Sequence, residues 1–407
     1  MSISRSTAYT RRFVAASLAI GAILVACGGG SGGGGTTTDG SAAGATGSSD
    51  PDATGSFAAG RIAGFGSIVV IGVRFDDSAA SITDDEDASK SRSDLRLGMM
   101  VEIRGGPITQ GTGASLGSAT ARTVRIVDEI KGPVEAKAGS TLTVLGQTVT
   151  VAPGTVFEDG ASLGAIAVGD ILEVHGSVGL NGQITATRIE VEDPGTGTSH
   201  FKLRGFVSNL DGAARTFSIG GARISFAGIA PPPTLANGNL VRVRLDTVQT
   251  AGVWTATRID HRRPFDNQDE AKVEGIVTTY SGSGTRFEVN GLPVDASGAR
   301  FKDGSQANLA VGVRVEVEGA LRDGLLVASE VEFRDNDDER EVEIKDVIES
   351  VNPPSGFVVR GVRFFHDSAT RFKDGTVASL ASGARVEVKG TLAADGTSVH
   401  ADEVDFE

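Results

Sequence analysis

The chain has 407 residues, 56 of them glycine, one cysteine, 5% aromatic residues and a formal charge of −14 at neutral pH. That charge repels phosphate backbones and anionic lipid surfaces unless a local basic patch intervenes. The longest basic cluster, His261-Arg262-Arg263, is followed by the acidic stretch Asp266 to Glu270, so the sequence shows no such patch. A lone cysteine also excludes internal disulfides and thiolate zinc sites, so stability rests on packing.

The N-terminus reads as an address. Arg5, Arg11 and Arg12 form a basic region with no acid near it, and Phe13 to Val25 is apolar but too short for a permanent span. The run ends in Leu24-Val25-Ala26-Cys27, which resembles the bacterial lipobox. The resemblance implies cleavage before Cys27 and a diacylglycerol on its sulfur, an anchor worth ~0.8 kcal/mol per buried methylene. Losing the three leader arginines takes the formal charge from −14 to −17. Gly28, where many inner-membrane lipoproteins carry Asp, points by analogy to the outer membrane. Residues 27–58 contain Gly, Ser, Thr, Ala and Asp and almost nothing able to form a core, which predicts a flexible tether. A coil of this kind reaches ~30 Å r.m.s..

Four markers then recur in one order five times. The first is Gly-x-[Ile/Val] at Gly60, Gly132, Gly205 and Gly275, with Asp346-Val347-Ile348 standing in for the fifth. The second is a hairpin glycine at Gly72, Gly146, Gly221, Gly291 and Gly361, clearest in Asn290-Gly291, where two-residue turns favour positive φ. The third begins at Gly98, Gly169, Gly238, Gly312 and Gly383 and leads a period-two strand such as Val315-Glu316-Val317-Glu318. The fourth is Ala121, Ala186, Ala256, Ala328 and Ala401, read as a crowded interior position. No window sustains a 3.6-residue apolar period, so long helices are not expected.

The expected fold is all-β, with five tandem small OB-like barrels behind a lipoprotein signal peptide and a flexible Gly/Ser-rich tether. The boundaries are 1–26 for the signal peptide and 27–58 for the tether, then 59–129, 130–193, 200–263, 271–335 and 339–407 for the repeats. The repeats resemble the uncharacterised domain-of-unknown-function repeats of Gram-negative envelope lipoproteins, which implies tandem barrels on a lipid anchor but no activity. Two copies depart from the pattern: the first carries Asp84-Asp85-Glu86-Asp87, and the third has Pro231-Pro232-Pro233. Linkers such as Asp193 to Ser199 suggest beads on a string with partial docking.

Chemistry is sparse. Gly113-Ala114-Ser115-Leu116-Gly117 and Gly160-Ala161-Ser162-Leu163-Gly164 match a nucleophile elbow in letters, but no helix follows either. His175, His200, His261, His366 and His400 lack metal spacing and read as surface or strand-edge residues. Glu102, Glu173, Glu316 and Glu387 recur at one strand position, with Arg242 in the third copy, and read as a solvated face. Aromatics are too few for base stacking, which argues against nucleic acid. Asp335, Asp337, Glu339 and Glu341 form a weak calcium candidate, since an EF-hand loop would need Gly at Arg340 and Glu at Asp346.

The sequence therefore predicts a non-enzymatic, lipid-anchored envelope protein without catalytic residues, metal or cofactor. Its expected partners are the membrane, through the lipid, and an unidentified envelope protein or glycan. The alternative is an envelope hydrolase or other enzyme whose site forms between barrels, and a histidine meeting a carboxylate in an inter-barrel cleft would favour it.

Overall fold

The computed structural model describes residues 55–112, 115–158, 161–192, 199–261, 266–335 and 340–407. The lipobox residues Leu24, Val25, Ala26 and Cys27, most of the tether, Asp337 and Glu339 lie outside them.

Each repeat folds into a five-stranded barrel. In the fourth, the strands are Gln268–Tyr280, Arg286–Val289, Leu292–Asp295, Arg314–Arg322 and Leu325–Phe333. The first pairs antiparallel with the second and the fourth, the second with the third, and the fourth with the fifth. The third runs parallel to the fifth and closes the ring. The order 1-2-3-5-4-1 recurs in the other four barrels, whose first strands are Ser56–Arg61 with Gly64–Phe65, Ile130–Ala138, Phe201–Asp211 and Glu341–Asn352. This is OB-type connectivity, in which closure removes the exposed sheet edge. Alternation supplies the interior, with Val315, Val317, Val386 and Val388 fully buried.

The recurring markers hold one another. The amide of the third-marker glycine donates to the carbonyl of the first-marker aliphatic residue in every barrel: Gly98 to Ile62, Gly169 to Val134, Gly238 to Val207, Gly312 to Val277 and Gly383 to Ile348. The first-marker glycine seats a residue in or beside the hairpin turn. A Cβ on Gly132 would sit 2.4 Å from Leu145, one on Gly205 2.3 Å from Ile219, and one on Gly275 2.3 Å from Asn290. The five alanines of the fourth marker are buried next to a bulge in the last strand, which bends it around the barrel.

The bead-like arrangement expected from the linkers gives way to docking between barrels distant in sequence. Residues 49–407 form one compact unit. Ser56–Ala59 of barrel 1 pairs parallel with Glu270–Val273 of barrel 4, and Gly64–Phe65 pairs parallel with Glu343–Ile344 of barrel 5. Ile130 and Lys131 of barrel 2 pair antiparallel with Leu203 and Lys202 of barrel 3. Barrels 1 and 5 share one hydrophobic cluster, barrels 2 and 3 another, and Phe57 of barrel 1 packs into the core of barrel 4. The strand edges between barrels are what bury apolar area, and these are not visible as a linear pattern.

Candidate functional site

Charged side chains gather where the barrels meet. The acidic insertion of barrel 1 reaches barrel 3. Asp85, 1% exposed, lies 2.6 Å from Arg242 and 3.4 Å from Lys202, whose ammonium is 2.6 Å from Asp128. Burial pulls the Lys202 pKa down, but Asp128 and Asp85 outweigh it and hold it above lysine's ordinary value. Burial and the neighbouring Asp128 raise Asp85 despite its two cations. Arg204 reaches Glu129 at 2.7 Å, yet burial still pushes that carboxyl up to about 7. Arg242 is thus the third copy's answer to the carboxylates of barrel 1, which explains why it replaces the repeated glutamate.

The glutamate row is half-buried, not solvated. Glu173 lies 3.4 Å from Lys131, Glu387 lies 3.4 Å from Arg74 of barrel 1, and Glu316 lies 3.8 Å from both Lys272 and Arg334. Burial dominates at Glu316 and raises its pKa to about 7 against those two cations. Glu316 lines a cleft of ≈ 520 Å³ between barrels 1, 4 and 5, together with the calcium candidates Asp335 and Glu341. Asp337 and Glu339 fall outside the described residues, and no cluster of three or more His, Cys, Asp or Glu among the described residues is arranged to hold a metal.

The histidines separate. His175 is fully buried, not at the surface, and its Nδ1 is 2.8 Å from the Val127 carbonyl at the entry to barrel 2. His400 sits between Asp402 (3.0 Å) and Asp367 (3.2 Å), both of which outweigh burial and raise its pKa. His200 bridges two barrels: Nε2 is 3.1 Å from Glu86 and Nδ1 is 2.9 Å from the Ser199 hydroxyl. Arg244 clamps Glu86 with Nε at 2.9 Å and Nη2 at 2.6 Å. Sequence reasoning missed this group because Glu86 and His200 are more than a hundred residues apart. Ser115 and Ser162 both lie in loops, and Ser162 accepts a hydrogen bond from the Ala165 amide.

Residues 131–190, 274–332 and 347–405 match the family model described as Domain of unknown function (DUF5666). Repeats two, four and five therefore resemble this domain. The first and third, which carry the acidic insertion and Arg242, lie outside the matched segments. No curated protein matches the chain. A solved structure titled "drosophila Unr CSD456" aligns at 13% identity over 52% of this chain and 98% of its own, with a TM-score of 0.13, too slight a likeness to bear on fold or function.

Proposed function

We propose that this protein is a lipid-anchored component of the bacterial cell envelope, held at the outer membrane through Cys27. There it works as a non-enzymatic scaffold, spacer or ligand-binding module. The observation that carries this reading is the joining of five barrels by three inter-barrel strand pairings and buried ion pairs into one unit. A body so joined keeps its surfaces at fixed spacings, while the Gly/Ser-rich tether gives it reach from the lipid. Fractionation of envelopes tests the anchor. Wild type should partition with membranes and carry acyl mass on Cys27, and Cys27→Ser should be soluble or unprocessed. A mature wild-type protein without acyl mass overturns the reading. Cross-linking in intact cells, followed by pull-down, then identifies the protein or glycan partner.

One observation favours a second reading. Ser199, His200 and Glu86 form a hydroxyl–imidazole–carboxylate chain across the seam between barrels 1 and 3, the arrangement a hydrolase uses to activate a serine. Labelling by a fluorophosphonate that disappears in Ser199→Ala would support it. Absence of labelling at Ser199 discards it.

A further inference from the structure

The −14 charge and the scattered basic residues conceal clefts where arginines converge. A cleft of ≈ 710 Å³ where barrels 1, 2 and 5 meet is lined by Arg92 and Arg96 of barrel 1, Arg188 of barrel 2, and Arg360 and Arg363 of barrel 5. Three carboxylates, Glu158, Asp346 and Glu349, line it too. Two of the arginines are neutralised from behind: Arg92 holds Asp77 at 2.8 and 3.0 Å, and Arg188 pairs with Glu190. Arg96 donates instead to the carbonyls of Ser93 and Leu95. Arg360 donates to the Arg92 carbonyl at 3.0 Å, lies 4.3 Å over the Phe65 ring, and has Asp346 only at 3.7 Å. Burial, and then the charges of Arg92 and Arg96, hold the Arg360 pKa below its ordinary value despite Asp346 and Asp77.

The repeats sharpen the point. In barrels 2 and 4 the turn residue Leu145 or Asn290 rests on a first-strand glycine, in barrel 1 Ile71 rests on Gly60, and in barrel 3 the turn position is Gly220 and Ile219 beside it rests on Gly205. Barrel 5 alone puts Asp346 at the glycine position and Arg360 in the turn, and so projects a guanidinium out of the hairpin. The outer face of strands two and three and the loop joining strands four and five are among the places where OB-type barrels bind ligands. In barrel 5 strand three carries Arg363 and the four–five loop holds Gly396 to Ser398, and both line this cleft beside Arg360 of the hairpin. The arginines of the neighbouring cleft between barrels 1 and 3 are otherwise engaged: Arg104 with Asp266, Arg125 with Asp87, Arg204 with Glu129, Arg242 with Asp85 and Arg258 with Asp260. That cleft reads as a structural seam.

We propose that the cleft between barrels 1, 2 and 5 binds a phosphate-type oxyanion, the phosphomonoester of a lipid headgroup or a free phosphate, through Arg96 and Arg360. Planar guanidinium forks match tetrahedral oxyanions in shape and charge. The overall negative charge repels a long polyanion but leaves one phosphate group free to enter. The proposal rests on the ligand-binding part of the reading above and specifies its ligand class. It stands or falls separately from the anchor, because release by Cys27→Ser is measured without any ligand.

The test uses the Cys27→Ser protein without residues 1–26. Inorganic phosphate is titrated by calorimetry against chloride at matched ionic strength, and vesicles of phosphatidic acid are compared with phosphatidylcholine by co-sedimentation. Arg360→Asn recreates the Asn-Gly turn of barrel 4, so it keeps the hairpin while removing the guanidinium. Arg96→Gln changes an exposed side chain. Each should weaken binding by about tenfold or more, the loss expected for one charge-assisted hydrogen bond. Arg300→Gln on barrel 4 should bind as the parent does. Saturable phosphate binding lost in the cleft variants supports the site with a free anion. Binding only to phosphatidic acid, lost in the same variants, supports it with a lipid source. Binding that is absent with both probes, or unchanged in Arg360→Asn and Arg96→Gln, overturns it.

Discussion

Arg242 of barrel 3 lies 2.6 Å from Asp85 of barrel 1, a carboxylate 1% exposed that also has Lys202 at 3.4 Å. One charged loop thereby fixes two barrels more than a hundred residues apart. Removing one partner of a buried pair leaves the other unneutralised, so Asp85→Asn should cost about 3–5 kcal/mol. Arg242→Glu, which restores the glutamate of the other repeats, should cost more, because it sets like charges together. Urea melts of the full chain check both.

The buried carboxyls Glu129 and Glu316 predict an alkaline weakness. Their folded pKa values of about 7 lie above the unfolded value near 4.3, so the folded state holds protons that the unfolded state has lost. Their contribution is full below about pH 4.3 and is lost as the pH rises through about 7. The melting temperature should fall between about pH 4.3 and pH 7 and level off above that, with part of that slope removed in Glu316→Gln. Lys272 keeps Glu318 and Arg334 keeps Glu332 in that variant, so few charges are stranded. An identical slope in Glu316→Gln would contradict the assignment.

His400 has the opposite chemistry. Its two aspartates raise its pKa, so its stabilising charge is present below the ordinary value of about 6.5 and is lost as the pH rises through the folded value. A proton NMR titration should place His400 above a model histidine. Asp402→Asn and Asp367→Asn should each bring it down.

Gly319 tests the last-strand bulge. A Cβ there would stand 2.1 Å from the Val327 carbonyl oxygen, backbone that cannot step aside. Gly319→Ala should destabilise by about 1–3 kcal/mol. Gly106→Ala, whose Cβ would meet open space, should change stability by no more than about 0.5 kcal/mol. Thermal melts of the two variants side by side give the comparison.

Much of this architecture was legible before any coordinates. The alternation in Val315-Glu316-Val317-Glu318, the Asn290-Gly291 turn and the five spaced alanines announce small closed β-units, because period two, turn chemistry and crowding are local properties of a chain. The glycines Gly105, Gly176, Gly319 and Gly390, each opposite a fourth-marker alanine at the bulge, were equally available as a fifth recurring signal in four copies, the third having Leu245 there. The triplet Ser199, His200 and Glu86 offered no such signal. Neither did the arginine cleft, whose members lie on three different barrels.

The sequence by itself determined the repeat, the barrel interior and the turn that closes each hairpin, since these depend on neighbours a few residues apart. Only the tertiary structure decided which barrels touch. That choice depends on shape and charge matching between strand edges: Ser56–Ala59 on Glu270–Val273, and Asp85 on Arg242. It made the acidic insertion a docking loop and turned Arg360, one odd residue in a hairpin, into the centre of a cleft. Contacts between distant segments arise from packing in three dimensions, and no linear spacing encodes them.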